Sequence, residues 1–147
     1  MIETLGEPRR TLSRQSRWAF LALMVAQAAH SIEECIFRLF DVFAPAHFVS
    51  GLVSTNLGVG FAVVNAAFVS FGLWCYFARV RPGHPSGLVF AWFWTVLELA
   101  NGIEHSVLAL SRGGYFPGVA TAPVLLGVSA YLAFRLSTPS RSFPEPR

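Results

Sequence analysis

The chain has 147 residues, of which 54% are hydrophobic and only 13% are charged, and its formal net charge is +3. A typical soluble domain carries about 25% charged residues, so this composition excludes an ordinary soluble protein and favours a single integral membrane domain. The cationic residues form no clustered basic face, and we therefore expect no nucleic-acid partner.

Four apolar stretches follow one another along the chain, at residues 18–40, 56–79, 87–110 and 121–136. Each is close to the ~20 residues that an α-helix needs to cross ~30 Å of hydrocarbon, and the last is the shortest. Short connections favour antiparallel neighbours. The sequence therefore predicts an all-α, up-down-up-down bundle of four transmembrane helices over residues 17–137, between a polar tail at 1–16 and a disordered tail at 138–147.

The distribution of arginine predicts the orientation, because cytoplasmic segments retain basic residues. Arginines precede the first span, follow the second and close the chain, whereas only Arg38 and Arg112 fall on the other side. Both termini are therefore expected in the cytoplasm. The first apolar run also resembles a cleavable signal peptide, but we expect it to be retained as the first span. Cys35 and Cys75 are expected to lie at different depths and to remain unbridged.

Two clusters of polar side chains interrupt the first and third apolar stretches. They consist of His30, Glu33 and Glu34, and of Glu98, Asn101, Glu104 and His105. Ionisable residues are costly at membrane depth and are usually retained there for function. Within each helix, spacings of three, four and seven residues place most of the cluster on one face. Because the two spans run parallel, the clusters are expected to face each other.

The clusters combine four carboxylates with two imidazoles, a set that needs neutralising at this depth. Arg38, one turn after Glu34, is expected to offset one charge. One or two divalent cations would offset the rest, and this donor set suits iron, manganese or zinc. The predicted metal ligands are His30, Glu33, Glu34, Glu98 and His105. In the competing structural explanation, Glu34 only pairs with Arg38 and Asn101 only bonds His105. Asn65 is expected to be an interhelical hydrogen-bond donor.

Three motifs follow in order: His30-Ser31-Ile32-Glu33-Glu34, then Asn101-Gly102-Ile103-Glu104-His105, then Tyr115-Phe116-Pro117-Gly118-Val119-Ala120-Thr121. In this order they resemble the pattern HxxEE, NxxxH and YxPGxxT of the HXXEE family, small bacterial membrane proteins of unknown function. The resemblance implies a shared fold and site, and a location in the bacterial inner membrane. It leaves the reaction open.

Roles in the site are assigned as follows. Glu33, Glu104 and Tyr115 are predicted to be catalytic, and Asn101, Tyr115 and Thr121 to bind substrate. Thr121 is also expected to cap the last helix, with Pro123 in its first turn. Tyr115 either covers the mouth of the site or anchors the chain at the membrane interface.

The leading functional hypothesis is a membrane metalloenzyme acting on a lipophilic substrate that enters from the bilayer. Iron would allow oxidative chemistry such as hydroxylation, and zinc would favour hydrolysis. One alternative is a metal-independent acid/base isomerase or cyclase of a lipid or terpenoid. Another is a proton or metal-ion carrier, although the cytoplasmic halves of spans one and three are nearly all apolar. A purely structural packing role is the last alternative.

Overall fold

The computed structural model of the chain describes residues 12–138, and this part is all-helical, with six α-helices and no strand. The helices are α1 (Arg14–Ile36), α2 (Leu39–Val42), α3 (Ala44–Val53), α4 (Leu57–Cys75), α5 (Gly87–Arg112) and α6 (Ala122–Ser137). Four of them match the predicted apolar stretches closely. Most of both predicted polar tails lies outside the described residues, and α1 begins inside the first of them.

The first helix ends at Ile36, and the predicted continuation to residue 40 is wrong. Arg38 adopts a left-handed backbone with φ of 54°, alone among the described residues other than glycine. The chain leaves the helical path there, so Arg38 no longer lies one turn above Glu34. Its guanidinium instead pairs with Asp41 at the surface. The expected compensation of Glu34 by Arg38 is therefore wrong.

The connection after α1 contains two helices that the sequence did not predict, and α3 packs along the first half of α4. Pro45 stands in the first turn of α3, where its missing N–H costs nothing. A Cβ on Gly60 of α4 would lie 2.1 Å from the carbonyl oxygen of Ser50. The two backbones therefore touch, as small residues in a helix interface allow.

The fourth helix continues through one π-helical segment, Tyr76–Val80, in which Arg81 N donates to the carbonyl of Tyr76 at 2.8 Å. Near this end α4 and α5 are close, because a Cβ on Gly72 would lie 3.1 Å from the Trp94 ring. An apolar core fills this half of the bundle, built around Phe20, Leu23, Met24, Trp94, Leu125 and Leu132.

Two of the described helical segments are long and apolar enough to cross a membrane, namely Arg14–Ile36 and Leu57–Val80. Helix α6 packs against both α1 and α5. The three helices therefore come together at the end of the bundle opposite the apolar core. Cys35 and Cys75 are both free, as expected. Ser31 of α1 donates to Asn65 Oδ1 of α4 at 2.7 Å, and the Asn65 amide nitrogen donates to Phe61 O of its own helix. Asn65 therefore forms an interhelical bond, but as the acceptor and not as the expected donor.

Candidate metal centre

Three buried side chains from α1 and α5 converge at this end. Glu34 Oε1 lies 3.1 Å from His105 Nε2 and 3.5 Å from His30 Nε2. The exposed fraction is 0% for His30, 6% for Glu34 and 2% for His105. One candidate ligand atom from each lies within 4.8 Å of the others. The sequence prediction that the two polar clusters face each other is confirmed for these three residues.

The tautomer of His105 is fixed by the loop between α5 and α6. Its Nδ1 lies 2.6 Å from the carbonyl oxygen of Pro117. A carbonyl oxygen only accepts hydrogen bonds, so Nδ1 carries a proton and donates it. In the neutral ring Nε2 then carries a lone pair, and this lone pair points at Glu34.

His30 is oriented in the same way by Thr121. The Thr121 hydroxyl donates its single proton to Glu33 Oε2. It therefore accepts the contact with His30 Nδ1, at 2.7 Å, and this ring nitrogen is the donor. His30 Nε2 is thus a second lone pair, buried and without any hydrogen-bond partner among the described residues.

Two imidazole lone pairs and one carboxylate oxygen that meet in this way repel one another unless a cation or a proton lies between them. With bonds of about 2.0–2.2 Å to the metal, tetrahedral nitrogen and oxygen ligands lie about 3.3 Å apart. Two of the three separations, 3.1 and 3.5 Å, bracket this value, and all three are within 4.8 Å. A set of two histidines and one carboxylate suits zinc, iron or manganese. These residues therefore fit a divalent metal.

Glu33 turns away from this group and accepts five hydrogen bonds from the α5–α6 loop. The Tyr115 hydroxyl donates at 2.6 Å, and the backbone N–H groups of Gly118, Ala120 and Thr121 donate at 3.1, 3.0 and 2.8 Å. The Thr121 hydroxyl supplies the fifth bond. Burial and the bond to Glu33 raise the pKa of the Tyr115 phenol. Glu33 is therefore a buried anion that holds the loop in place.

Gly118 packs directly on both imidazoles. A Cβ there would lie 2.4 Å from His105 Nδ1 and 2.8 Å from His30 Cε1, and its φ of +94° also favours glycine. The loop thus closes over the histidines. Thr121 stands at the start of α6 but makes no side-chain cap bond, because its hydroxyl is used by Glu33; the capping prediction is wrong. Pro123 does lie in the first turn.

Glu98 is fully buried beside the group but is not part of it. Asn101 Nδ2 donates to Glu98 Oε2 at 3.3 Å. With its amide nitrogen turned toward Glu98, Gln27 donates to both carboxylate oxygens, at 3.2 and 2.6 Å. The bonds proposed in the purely structural explanation, Glu34 to Arg38 and Asn101 to His105, are absent among the described residues.

A cavity of about 380 Å³ lies next to the three-residue group. Glu34 and His105 form part of its wall, and so do Glu98, Asn101 and the exposed Glu104. Helix α3 and the preceding residue Phe43 supply one side of the cavity, as far as Ser50. Glu34 and His105 of the candidate centre therefore border an open, mostly apolar cavity.

The sequence did not identify three residues that orient this site: Gln27, Pro117 and Gly118. Gln27 could have been found, because it lies three and seven residues before His30 and Glu34 and so shares their helical face. The carbonyl of Pro117 carries no side-chain signal. Gly118 belongs to the third sequence motif, but its contact with the histidines depends on how the loop folds back.

The described part of the chain is thus an all-helical protein with a buried histidine–glutamate centre closed by a loop. Residues 18–132 match the model of a family described as "Protein of unknown function with HXXEE motif". The match covers most of the chain, which therefore belongs to the HXXEE family. No match was found among curated proteins or among solved structures.

Proposed function

We propose that this protein is an integral membrane metalloenzyme with four transmembrane helices and both termini in the cytoplasm. Helix α5 has 26 residues, which corresponds to about 39 Å of helix and exceeds the ~30 Å hydrocarbon layer. Helix α6 is shorter, with 16 residues. The arginines at the apolar-core end support this orientation in the inner membrane of a bacterium. The metal centre then lies in the outer half of the bilayer.

The proposed centre holds one divalent metal between His30, Glu34 and His105. The observation that carries the proposal is the His30 Nε2 lone pair, which is buried beside two other acceptors and has no hydrogen-bond partner within residues 12–138. The described residues contain a single group of this kind, which supports one metal more than two. Glu33 positions the loop in this proposal and does not bind the metal.

The proposed substrate is a lipophilic molecule in the adjoining cavity. Glu98, Asn101 and Glu104 line the same space and are available to bind substrate or to move a proton. Two histidines and one carboxylate leave coordination positions open, as catalytic metal centres require. Zinc would lower the pKa of a bound water for hydrolysis, and iron would support oxidative chemistry. Tyr115 and Thr121 act through Glu33 and His30 as positioning residues.

Metal analysis of protein purified without chelator tests the proposal directly. We expect about one zinc, iron or manganese ion per chain, and a loss of at least about tenfold in Glu34→Gln and His105→Gln, because removing a ligand leaves two. Glu104→Gln and His84→Gln are matched controls that change the same residue types outside the three-residue group. Equal metal content in ligand and control variants, or no metal in any preparation, would refute the centre.

A metal-free acid/base enzyme is the second candidate, since protons could replace the metal. His105 Nε2 lies within hydrogen-bond distance of Glu34 Oε1, at 3.1 Å, so an imidazolium could donate there. Nitrogen NMR of labelled histidine separates the candidates, because an imidazolium and a metal-bound imidazole have different shifts. A carrier is less well supported, because the apolar core fills the other half of the bundle around Phe20 and Trp94.

A further inference from the structure

We infer that the cavity beside the centre binds a lipophile whose polar head donates hydrogen bonds and carries no negative charge. This inference rests on the proposed function and names its substrate class. It is drawn from the charges and hydrogen-bonding groups of the cavity wall.

Apolar side chains from four helices form most of the wall. They are Leu39, Phe43, Pro45, Ala46, Val49, Phe61, Val64, Phe68, Leu97 and Ala100. The volume of about 380 Å³ is at the lower end of the range of about 300–1,000 Å³ typical of small-molecule sites. The wall therefore suits the hydrocarbon part of a small lipophile, or the first part of a longer one.

Two polar groups of the wall are acceptors without a side-chain donor. Glu104 and the carbonyl oxygen of Asn101 accept no hydrogen bond from any side chain in residues 12–138. Asn101 donates one N–H to Glu98, and Asn65 accepts from Ser31 and donates one N–H to its own helix, so each amide keeps a second N–H. A head group that donates, such as a hydroxyl or an ammonium, would satisfy these acceptors, and one that only accepts would not.

The charge of the wall opposes an anionic head. Three carboxylates line the cavity, from Glu34, Glu98 and Glu104, and the described lining residues include no arginine. Carboxylate and phosphate groups are normally recognised by arginine or lysine, so an acidic head would lie beside these carboxyl groups with no cationic side chain among the described lining residues.

The mouth of the cavity lies between α3 and α5. The exposed residues of its lining are on these helices, with Pro45 and Val49 on α3, and Ala100 and Glu104 on α5. A charged Glu104 at this position marks the end of the mouth where the head of the lipophile would lie. The tail would then lie against the apolar wall.

Photoaffinity probes with one alkyl chain and four different heads test the inference in the full-length protein in lipid nanodiscs. The heads are a primary alcohol, a primary amine, a methyl ether and a carboxylate. We expect the alcohol and amine probes to label Phe61 and Phe68 about tenfold more than the ether and carboxylate probes, because unsatisfied or repelled groups cost this order of affinity. Labelling of the exposed Phe134 corrects for different partitioning into the bilayer.

Two variants locate the labelling in the cavity. Val64→Trp fills the cavity and should abolish labelling by the alcohol probe, whereas Val63→Trp, on the adjacent exposed position outside the lining, should not. Glu104→Gln changes an exposed residue and should raise labelling by the carboxylate probe. Equal labelling by the alcohol and carboxylate probes, or no response to Glu104→Gln, would overturn the inference.

Metal content is measured on the same samples. Discrimination between heads without bound metal would refute the proposed function and leave the head-group inference standing. Bound metal together with equal labelling by all four heads would refute the head-group inference and leave the proposed function standing.

Discussion

Nδ1 of His105 donates a hydrogen bond to the main-chain carbonyl of Pro117 at 2.6 Å. This contact links a side chain of α5 to the loop that precedes α6. It leaves Nε2 of His105 facing Glu34. The Thr121 hydroxyl binds Nδ1 of His30 and so leaves Nε2 of that ring facing Glu34 as well. The loop therefore sets which atoms of both histidines are available to a ligand.

Gly118→Ala is expected to destabilise the protein and to disturb both imidazoles. The left-handed backbone alone costs about 1–3 kcal/mol for a residue with a Cβ. The Cβ would also lie 2.4 Å from His105 Nδ1. Gly127→Ala in α6 is the matched control, because a Cβ there has no heavy atom within 4 Å. Thermal unfolding in detergent measures both, and equal midpoints would contradict the prediction.

Thr121→Val is expected to weaken metal binding, while Thr121→Ser retains it. Valine has the same shape as threonine but no hydroxyl, so His30 loses the acceptor that orients its ring. Loss of such a partner typically reduces metal affinity about 10–100-fold. Competition with a chromogenic chelator gives the affinity of each variant. If the valine and serine variants bind metal equally, the hydroxyl does not orient His30.

The ionisation of Tyr115 is expected only at high pH, and Tyr115→Phe should remove the high-pH end of the tyrosinate absorbance titration. Burial and the Glu33 carboxylate raise the pKa of this phenol. Its bond to Glu33 therefore contributes fully below the unfolded value of about 10 and is lost as pH rises through the folded pKa. The stability difference between the wild type and Tyr115→Phe should be constant near neutral pH and shrink in alkali. A difference that changes around neutrality would contradict this assignment.

Gly60→Ala is expected to detach α3 from α4 without removing the metal. A Cβ at Gly60 would lie 2.1 Å from the Ser50 carbonyl oxygen, whereas at Gly51, on α3 itself, its nearest neighbour would be 3.8 Å away. Hydrogen exchange over residues 44–53 should become faster in Gly60→Ala and stay unchanged in Gly51→Ala. If Gly60→Ala loses the metal as well as the exchange protection of α3, the cavity wall and the metal centre are not separable.

Spacing predicted that His30, Glu34 and His105 would come together, but within a larger set of ligands that also held Glu33 and Glu98. His30 and Glu34 are one turn apart, and the parallel direction of the first and third apolar stretches brings His105 to the same depth. The different use of Glu33 was not predicted. Successive residues on a helix point about 100° apart, so Glu33 and Glu34 cannot both face one atom. Three of the five donors to Glu33 are backbone N–H groups of a folded loop. Residue type does not reveal where such backbone groups will point.

Hydropathy predicted the four long helices but not α3. The stretch from Ala44 to Val53 is apolar yet too short to span a bilayer, so hydropathy does not distinguish it from a connection. Its Pro45 was an available helix-start signal. The break at Arg38 was also hidden, since an arginine in a left-handed conformation is rare and depends on the surrounding packing.

The five donors to Glu33 all come from residues 115–121, which lie between the last two helices. During synthesis α1 emerges first and carries this carboxylate without any of its partners. The order of biogenesis therefore places completion of the site at the final step, when the C-terminal helix docks. A chain interrupted before that step would expose the Glu33 carboxylate without its hydrogen-bond donors. We expect quality-control proteases to degrade such a chain.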